Sequence, residues 1–291
     1  MPPTPPPPSP AKGSLLAQLA PHLLLVPVTF LTLYPVLYVA KLALSGVGGV
    51  SASPWPWPET FSLDAFAAVV SRTDAQGTWL FGRQLANSLI VSVLTTVLGI
   101  TLACTAAYGF ARFDFPGRRA GLLGFLATQM FPGILTMIPL YVLMQKLNLL
   151  DSMAGLVLVY STTAIPFCTW TLKGYFETLP KEIEESATID GASRLDIFWR
   201  IILPLSAPAI AVTALFSFMT AWNEFVLAYT FLSQEAAYTM PVQIRNYVGD
   251  KDVQWSLFAA ASLIVSLPVM ALFYALEKHL VGGLTAGGVK G

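Results

Sequence analysis

Long apolar runs separated by short polar connections set the pattern of this chain. An apolar run covers residues 19–42. Five windows without a charged side chain follow, at 84–111, 120–145, 152–172, 201–223 and 253–276. Each is at least about 20 residues long, enough for a helix to cross roughly 30 Å of hydrocarbon. The pattern predicts an all-α integral membrane protein with six transmembrane helices and both termini on one side. Pro21, Pro27 and Pro35 in the first run, and Pro132, Pro139, Pro166, Pro204, Pro208 and Pro268 later, predict bent spans rather than failed insertion. Gly99, Ala103, Ala106, Ala107 and Gly109 give the second span small residues for close packing.

Lysine and arginine set the orientation. With a cytoplasmic N-terminus, the inner segments hold Lys12, Arg112, Arg118, Arg119, Lys173, Lys181, Arg194, Arg200, Lys278 and Lys290. The outer segments hold Lys41, Arg72, Arg83, Lys146, Arg245 and Lys251, so the bias is ten to six. The Arg112/Arg118/Arg119 group lies in a short loop, where the bias is most informative. Both termini are therefore expected in the cytoplasm.

Composition narrows the function. The chain is 55% hydrophobic and 11% charged with zero net charge, which gives no hint of nucleic-acid binding. Cys104 and Cys168 sit in apolar windows and read as small buried hydrophobes. His22 and His279 have no His or Cys neighbours, which argues against a metal site. No phosphate loop of the form Gly-x-x-x-x-Gly-Lys-Ser/Thr is present, so a partner or a gradient must supply energy. An ion-coupled transporter would need ionisable groups at mid-depth in several spans, and the charge-free windows hold none. An intramembrane enzyme would need paired acids or a Ser/His pair at matching depth, and that is absent too. Residues 2–10 are almost all proline and predict no packed structure. The first run lacks a short apolar core with a small-residue cleavage site, so it is not read as a cleavable signal.

One polar stretch stands apart, at 177–208, where charges recur every few positions between apolar runs. Pro180 suits a helix start and Gly191 a helix stop, while Ser193 and Asp196 suit the start of a second helix. Leu195, Phe198, Trp199 and Ile202 fall at i, i+3, i+4 and i+7 and predict one apolar face. The acidic first arm (Glu182, Glu184, Glu185, Asp190) is unlike a lipid-binding surface helix, which is usually basic. It suits docking against a soluble partner.

The same stretch resembles the Glu-Ala-Ala loop of ABC importer permeases. Glu185-Ser186-Ala187, three residues, Gly191, nine residues and Ile201-Ile202-Leu203-Pro204 keep that loop's spacing, with Ser186 as the one departure. Trp222-Asn223-Glu224-Phe225 resembles a string found in sugar-uptake permeases. The Gly-rich ending 283–291 resembles that of the smaller, MalG-like maltose permease subunit. The resemblance implies the type I ABC importer (MetI-like) permease fold and a non-enzymatic transport subunit. It implies maltose or maltodextrin as cargo, with another sugar as the alternative. Expected partners are membrane lipid, a second (MalF-like) permease, two (MalK-like) ATPase subunits that carry ATP and magnesium, and an extracytoplasmic sugar-binding protein. No cofactor is expected on this chain.

The resemblance also assigns residues. Glu185, Ser186, Ala187, Asp190, Gly191, Leu195, Phe198, Trp199, Leu203 and Pro204 would couple to the ATPases. Thr285, Gly287, Gly288 and Lys290 would enter the interface between them. Asn246, Tyr247, Gly249, Asp250, Lys251 and Asp252, read as the tip of an outer loop, would reach the binding protein. The implied layout is a proline-rich tail (1–18), a permease domain (19–282) with coupling helices at 180–204, and a cytoplasmic tail (283–291). Glu224 has an open role, in transport or as a structural hydrogen-bond acceptor.

Overall fold

The structure, a computed structural model, describes residues 15–48, 53–249 and 253–288, with backbone alone at 15–20 and 278–288. Among the described residues there are helices and isolated bridges but no strand. Among the described residues, four helices are long and apolar enough to cross a membrane: α1 (Leu15–Leu44, apolar from Pro21), α3 (Leu80–Arg112), α6 (Met153–Thr178) and the last described helix, α13 (Trp255–Gly288). Two bent pairs raise the number to as many as six. α4 (Arg118–Met130) and α5 (Gly133–Lys146) meet at 100°, and the segment Arg194–Leu205 meets α10 (Ala207–Trp222) at 77°.

The breaks follow the prolines. Pro132 lies between α4 and α5, and Pro208 sits in the first turn of α10, where its missing N–H leaves no bond unmade. The window 201–223 is thus not one straight span as its composition suggests. Ile201 and Ile202 belong to the segment before the bend, and α10 itself has 16 residues, about 24 Å of helix.

The centre of the fold is the packing of α3 on α6, with α10 against both and α1 and α13 alongside. Along α3, Thr95, Gly99, Ala103, Ala107 and Ala111 are buried at every fourth position, a ridge of small side chains that lets the partner helix close in. A Cβ on Gly99 would lie 3.6 Å from Ser217 Oγ, so the backbone approach there is near contact. Across from this ridge α6 buries Ala164, Cys168, Leu172 and Phe176 at the same spacing. Much of α1, from Leu23 to Leu37, is exposed, as a lipid- or partner-facing helix requires. The polar connection after it carries α2 (Asp64–Val70), and Lys41 Nζ donates to Ser53 O at 2.7 Å.

Candidate functional site

The stretch that breaks the hydrophobic pattern forms two short arms beside the Arg112 end of α3. The first is α7 (Lys181–Ile189), which follows Pro180. It ends in a Schellman turn: Ala192 N–H donates to Ala187 O at 2.9 Å and Gly191 N–H to Thr188 O at 3.1 Å. Gly191 has φ 87°, a left-handed conformation that costs an L side chain, although among the described residues no atom beyond its chain neighbours lies within 4 Å of its would-be Cβ. The four-residue step from Ala187 to Gly191 is thus the spacing from the C3 carbonyl to the left-handed residue of that turn.

The second arm opens with a capping box. Asp196 N–H donates to Ser193 Oγ at 3.2 Å, and Ser193 N–H donates to the Asp196 carboxylate at 3.3 Å. The Ser193 hydroxyl and N–H hold the Asp196 carboxyl below its ordinary range, with Arg200 adding a smaller pull. α8 (Arg194–Ile197) then widens into a π-helical turn (Phe198–Ile202) before α9 (Leu203–Leu205).

The π turn divides the apolar face expected from regular spacing. Phe198 and Ile202 are buried with Ile197, while Leu195 and Trp199 stand outward, 72% and 59% exposed. A five-residue turn shifts the phase of the helix, so the four residues no longer share a side. Leu203 packs at the edge of the buried cluster and Pro204 is exposed. On the first arm Glu185, Ser186 and Asp190 are exposed, Ala187 is half-buried, and Ile189 is 86% exposed. Ser186 Oγ donates to Glu182 O at 2.8 Å. Together the arms present a surface that is acidic on the first arm and mixed in charge on the second, with Ile189, Leu195 and Trp199 as its most exposed apolar side chains.

Glu184 fastens this element to the spans, and motif spacing overlooked it. Its carboxylate forms an ion pair with Arg112 and accepts from the Tyr108 hydroxyl at 3.1 Å, while Arg112 also donates to Leu179 O at 3.1 Å. The paired side chains are 5% and 9% exposed. Tyr108 also packs on Phe198 with ring centroids 5.1 Å apart, and Arg194 lies over the Phe113 ring. Both arms therefore bear on the end of α3. Helical spacing offered a clue, because Glu184 lies one turn before the half-buried Ala187.

The model of the binding-protein-dependent transport system inner membrane component matches residues 82–284. This chain belongs to that family. The maltodextrin transport permease MdxG of Bacillus subtilis is 34% identical over 278 residues, covering 95% of this chain and 98% of that one. The galactooligosaccharides permease GanQ of the same organism is 38% identical, covering 93% and 94%. The diacetylchitobiose uptake permease DasC of Streptomyces coelicolor is 33% identical, covering 96% and 100%. Among solved structures, a chain of a bacterial ABC transporter involved in alginate import superposes with a TM-score of 0.75 at 22% identity, covering 93% of this chain and 99% of that chain. That likeness gives the type I ABC importer permease fold. The family is a transport component of the inner membrane, not an enzyme.

Elsewhere in this inner-membrane component, Glu224 is a hydrogen-bond acceptor. Its carboxylate takes the Tyr160 hydroxyl at 2.7 Å and the N–H groups of Leu227 and Ala228 at 2.8 and 3.0 Å, capping α11 (Val226–Phe231). Tyr247 is not at a loop tip. It follows α12 (Met240–Asn246), is buried in the core under α13, and lies beneath Arg72 with its ring 5.7 Å away. An aromatic ring so close to the spans is better satisfied by packing than by water. Asn246 and Gly249 are exposed on either side of it, while Asp250, Lys251 and Asp252 lie outside the described residues. The backbone of α13 runs helically through Thr285, Gly287 and Gly288, and Lys290 lies outside the described residues.

Proposed function

We propose that the chain is a permease subunit of an ATP-driven importer for maltodextrin or a related oligosaccharide, working with a second permease, two ATPase subunits and an extracytoplasmic binding protein. The observation that carries this reading is the two-arm element at 181–205: acidic on its first arm, apolar at its crest, and clamped through Glu184 to Arg112. Relatives named for maltodextrin, galactooligosaccharide, diacetylchitobiose and trehalose transport support sugar cargo. A structural neighbour of 16% identity comes from an alginate transporter in complex with a pentasaccharide-bound periplasmic protein, which agrees with a binding-protein partner.

Both termini and the two-arm element face the cytoplasm in this reading, in keeping with the Lys/Arg bias. Leu195 and Trp199 enter the ATPase, Phe198, Leu203 and Ala187 hold the element against the spans, and Glu185, Asp190 and Ser186 form the polar docking rim. Gly191 sets the angle between the arms. ATP and magnesium stay on the ATPases. When these close, the element moves as a unit and tilts α6 and α10, which it joins, changing the side from which cargo has access. The end of α13 and residues up to Lys290 touch the ATPase pair, and the exposed Asn246 and Gly249, with Asp250, Lys251 and Asp252, meet the binding protein.

A tagged form of this chain, purified from the cells that make it, should bring down an ABC ATPase. The same cells should take up at least one of maltotriose, a galactooligosaccharide, diacetylchitobiose or trehalose in a manner dependent on this gene. Absence of the ATPase, or uptake unchanged by deletion for the whole panel, would overturn the proposal.

A further inference from the structure

Between the elbow of α4 and α5 and the middle of α6 lies a cavity of about 490 Å³, lined by Thr128, Gln129, Phe131, Thr136, Thr162 and Thr163 with Gly133 and Leu140. With the bent pair of α4 and α5 taken as one span, its position is mid-depth. The elbow at Phe131–Pro132 is about midway between Arg118 and Lys146, and Thr162 and Thr163 are about midway between Ser152 and Lys173. We infer that this cavity is a contact site of this chain for the transported sugar.

Two independent features point there. The first is the backbone break. Ending α4 and starting α5 afresh leaves carbonyls and N–H groups without helical partners. Such a break at membrane depth is tolerated only where it is buried in protein or lines an aqueous cavity. Here Met130 and Phe131 are 83% and 63% exposed, so the described residues do not bury it.

The second feature is the lining. All four threonine hydroxyls donate to a backbone carbonyl one turn back, Thr128 to Phe125 O at 2.7 Å, Thr136 to Gly133 O at 2.8 Å, Thr162 to Val159 O at 2.7 Å and Thr163 to Tyr160 O at 2.8 Å. Each hydroxyl has thereby used its proton and keeps a lone pair to offer. Gln129 Nε2 donates to Thr163 O at 3.1 Å, which ties α4 to α6 and leaves the amide oxygen available. The lining is therefore uncharged and mostly apolar, with acceptors set into it at the four threonines and Gln129. A neutral solute with many O–H donors and C–H faces matches it, and an ion does not. The volume lies within the range of small-molecule sites.

This inference rests on the sugar reading above, and the test separates the two. Uptake of radiolabelled panel sugars is measured first for the wild-type complex in proteoliposomes with its binding protein and internal ATP. The best-carried sugar is then used for Thr136→Val, Thr162→Val and the double variant, with Thr136→Ser and Thr162→Ser as conservative controls. Valine keeps the shape and removes the acceptor. The expected result is a transport KM raised about two- to tenfold for each valine. The serine variants should stay near wild type, and binding-protein-stimulated ATPase within about twofold. Wild-type transport of a sugar with unchanged KM in the valine variants would overturn the inference while leaving the sugar reading intact. A lower yield of assembled complex, with KM per assembled complex unchanged, would make the cavity a permease–permease contact and overturn it too. No panel sugar carried by the wild type would remove both.

Discussion

Replacing Glu184 by alanine should loosen the two-arm element without disturbing the spans. The change leaves the Arg112 guanidinium with only Leu179 O and takes the acceptor from the Tyr108 hydroxyl. Side chains 5% and 9% exposed feel little solvent screening. Removing one member of such a pair costs about 3–5 kcal/mol, because the other charge stays buried and unpaired. α7 has nine residues, too few to hold as a helix once detached. The cost should thus appear as easier local opening, and at 1.4 kcal/mol per decade it amounts to about two to three and a half decades. Hydrogen exchange of the 181–189 amides in the purified complex reads this directly, up to the rate set by global opening. Glu182→Ala, an exposed neighbour, is the control and should change little. Replacing both Arg112 and Glu184 by leucine should recover much of the protection, since no charge is left buried. Equal exchange in Glu184→Ala and Glu182→Ala would refute the clamp.

Three further outcomes are expected. Gly191→Ala should cost about 1–2 kcal/mol at the turn and lower uptake at unchanged membrane insertion, and Gly191→Asp should uncouple uptake from ATP hydrolysis. Cysteines at Pro116 and Gly249, in a background without Cys104 and Cys168, should react with impermeant reagent from opposite sides; labelling of both from outside would sink the orientation. Asp151 is partly desolvated, which would raise its pKa. However, it accepts from the Ser233 hydroxyl at 2.5 Å and from the N–H groups of Ser233 and Gln234 at 2.6 and 3.1 Å, and these hold its pKa below the ordinary value. Its contribution should be fully present above about pH 4, the unfolded value, and fade as pH falls through the depressed one. The stability difference between wild type and Asp151→Asn should therefore be flat above that pH and shrink below it; a constant difference down to pH 2 would refute the assignment.

Much of this molecule is legible in its sequence because hydrocarbon leaves few options. Helices must satisfy their own backbone, so the charge-free windows gave four continuous spans and two bent pairs; Pro132 and Pro208 mark the breaks, while Pro139, Pro166 and Pro268 lie inside continuous helices. The angles were not legible, because a proline fixes the place of a break while neighbouring helices set its direction. Spacing found the Gly191 turn and the Ser193 cap, which are local devices. It mistook the Leu195–Ile202 face, because a π turn interrupts the regular spacing there and Phe198 packs on Tyr108, a residue about ninety positions away. Glu184 and Tyr247 were passed over or misplaced for the same reason: partners that cover them, Arg112 and Tyr108 for the one and Arg72 for the other, are distant in the chain.

The central claim is that ATP hydrolysed by partners drives this chain through the 181–205 element. The most direct measurement is sugar uptake by the reconstituted complex with ion gradients collapsed, internal ATP or a non-hydrolysable analogue, and Leu195→Asp/Trp199→Asp in parallel. Uptake should occur with ATP alone and fall to background with the analogue. In the double variant it should also fall to background while the spans still fold, because two carboxylates replace the apolar crest. Uptake that survives the analogue, or that is unaffected by the two aspartates, would contradict the account.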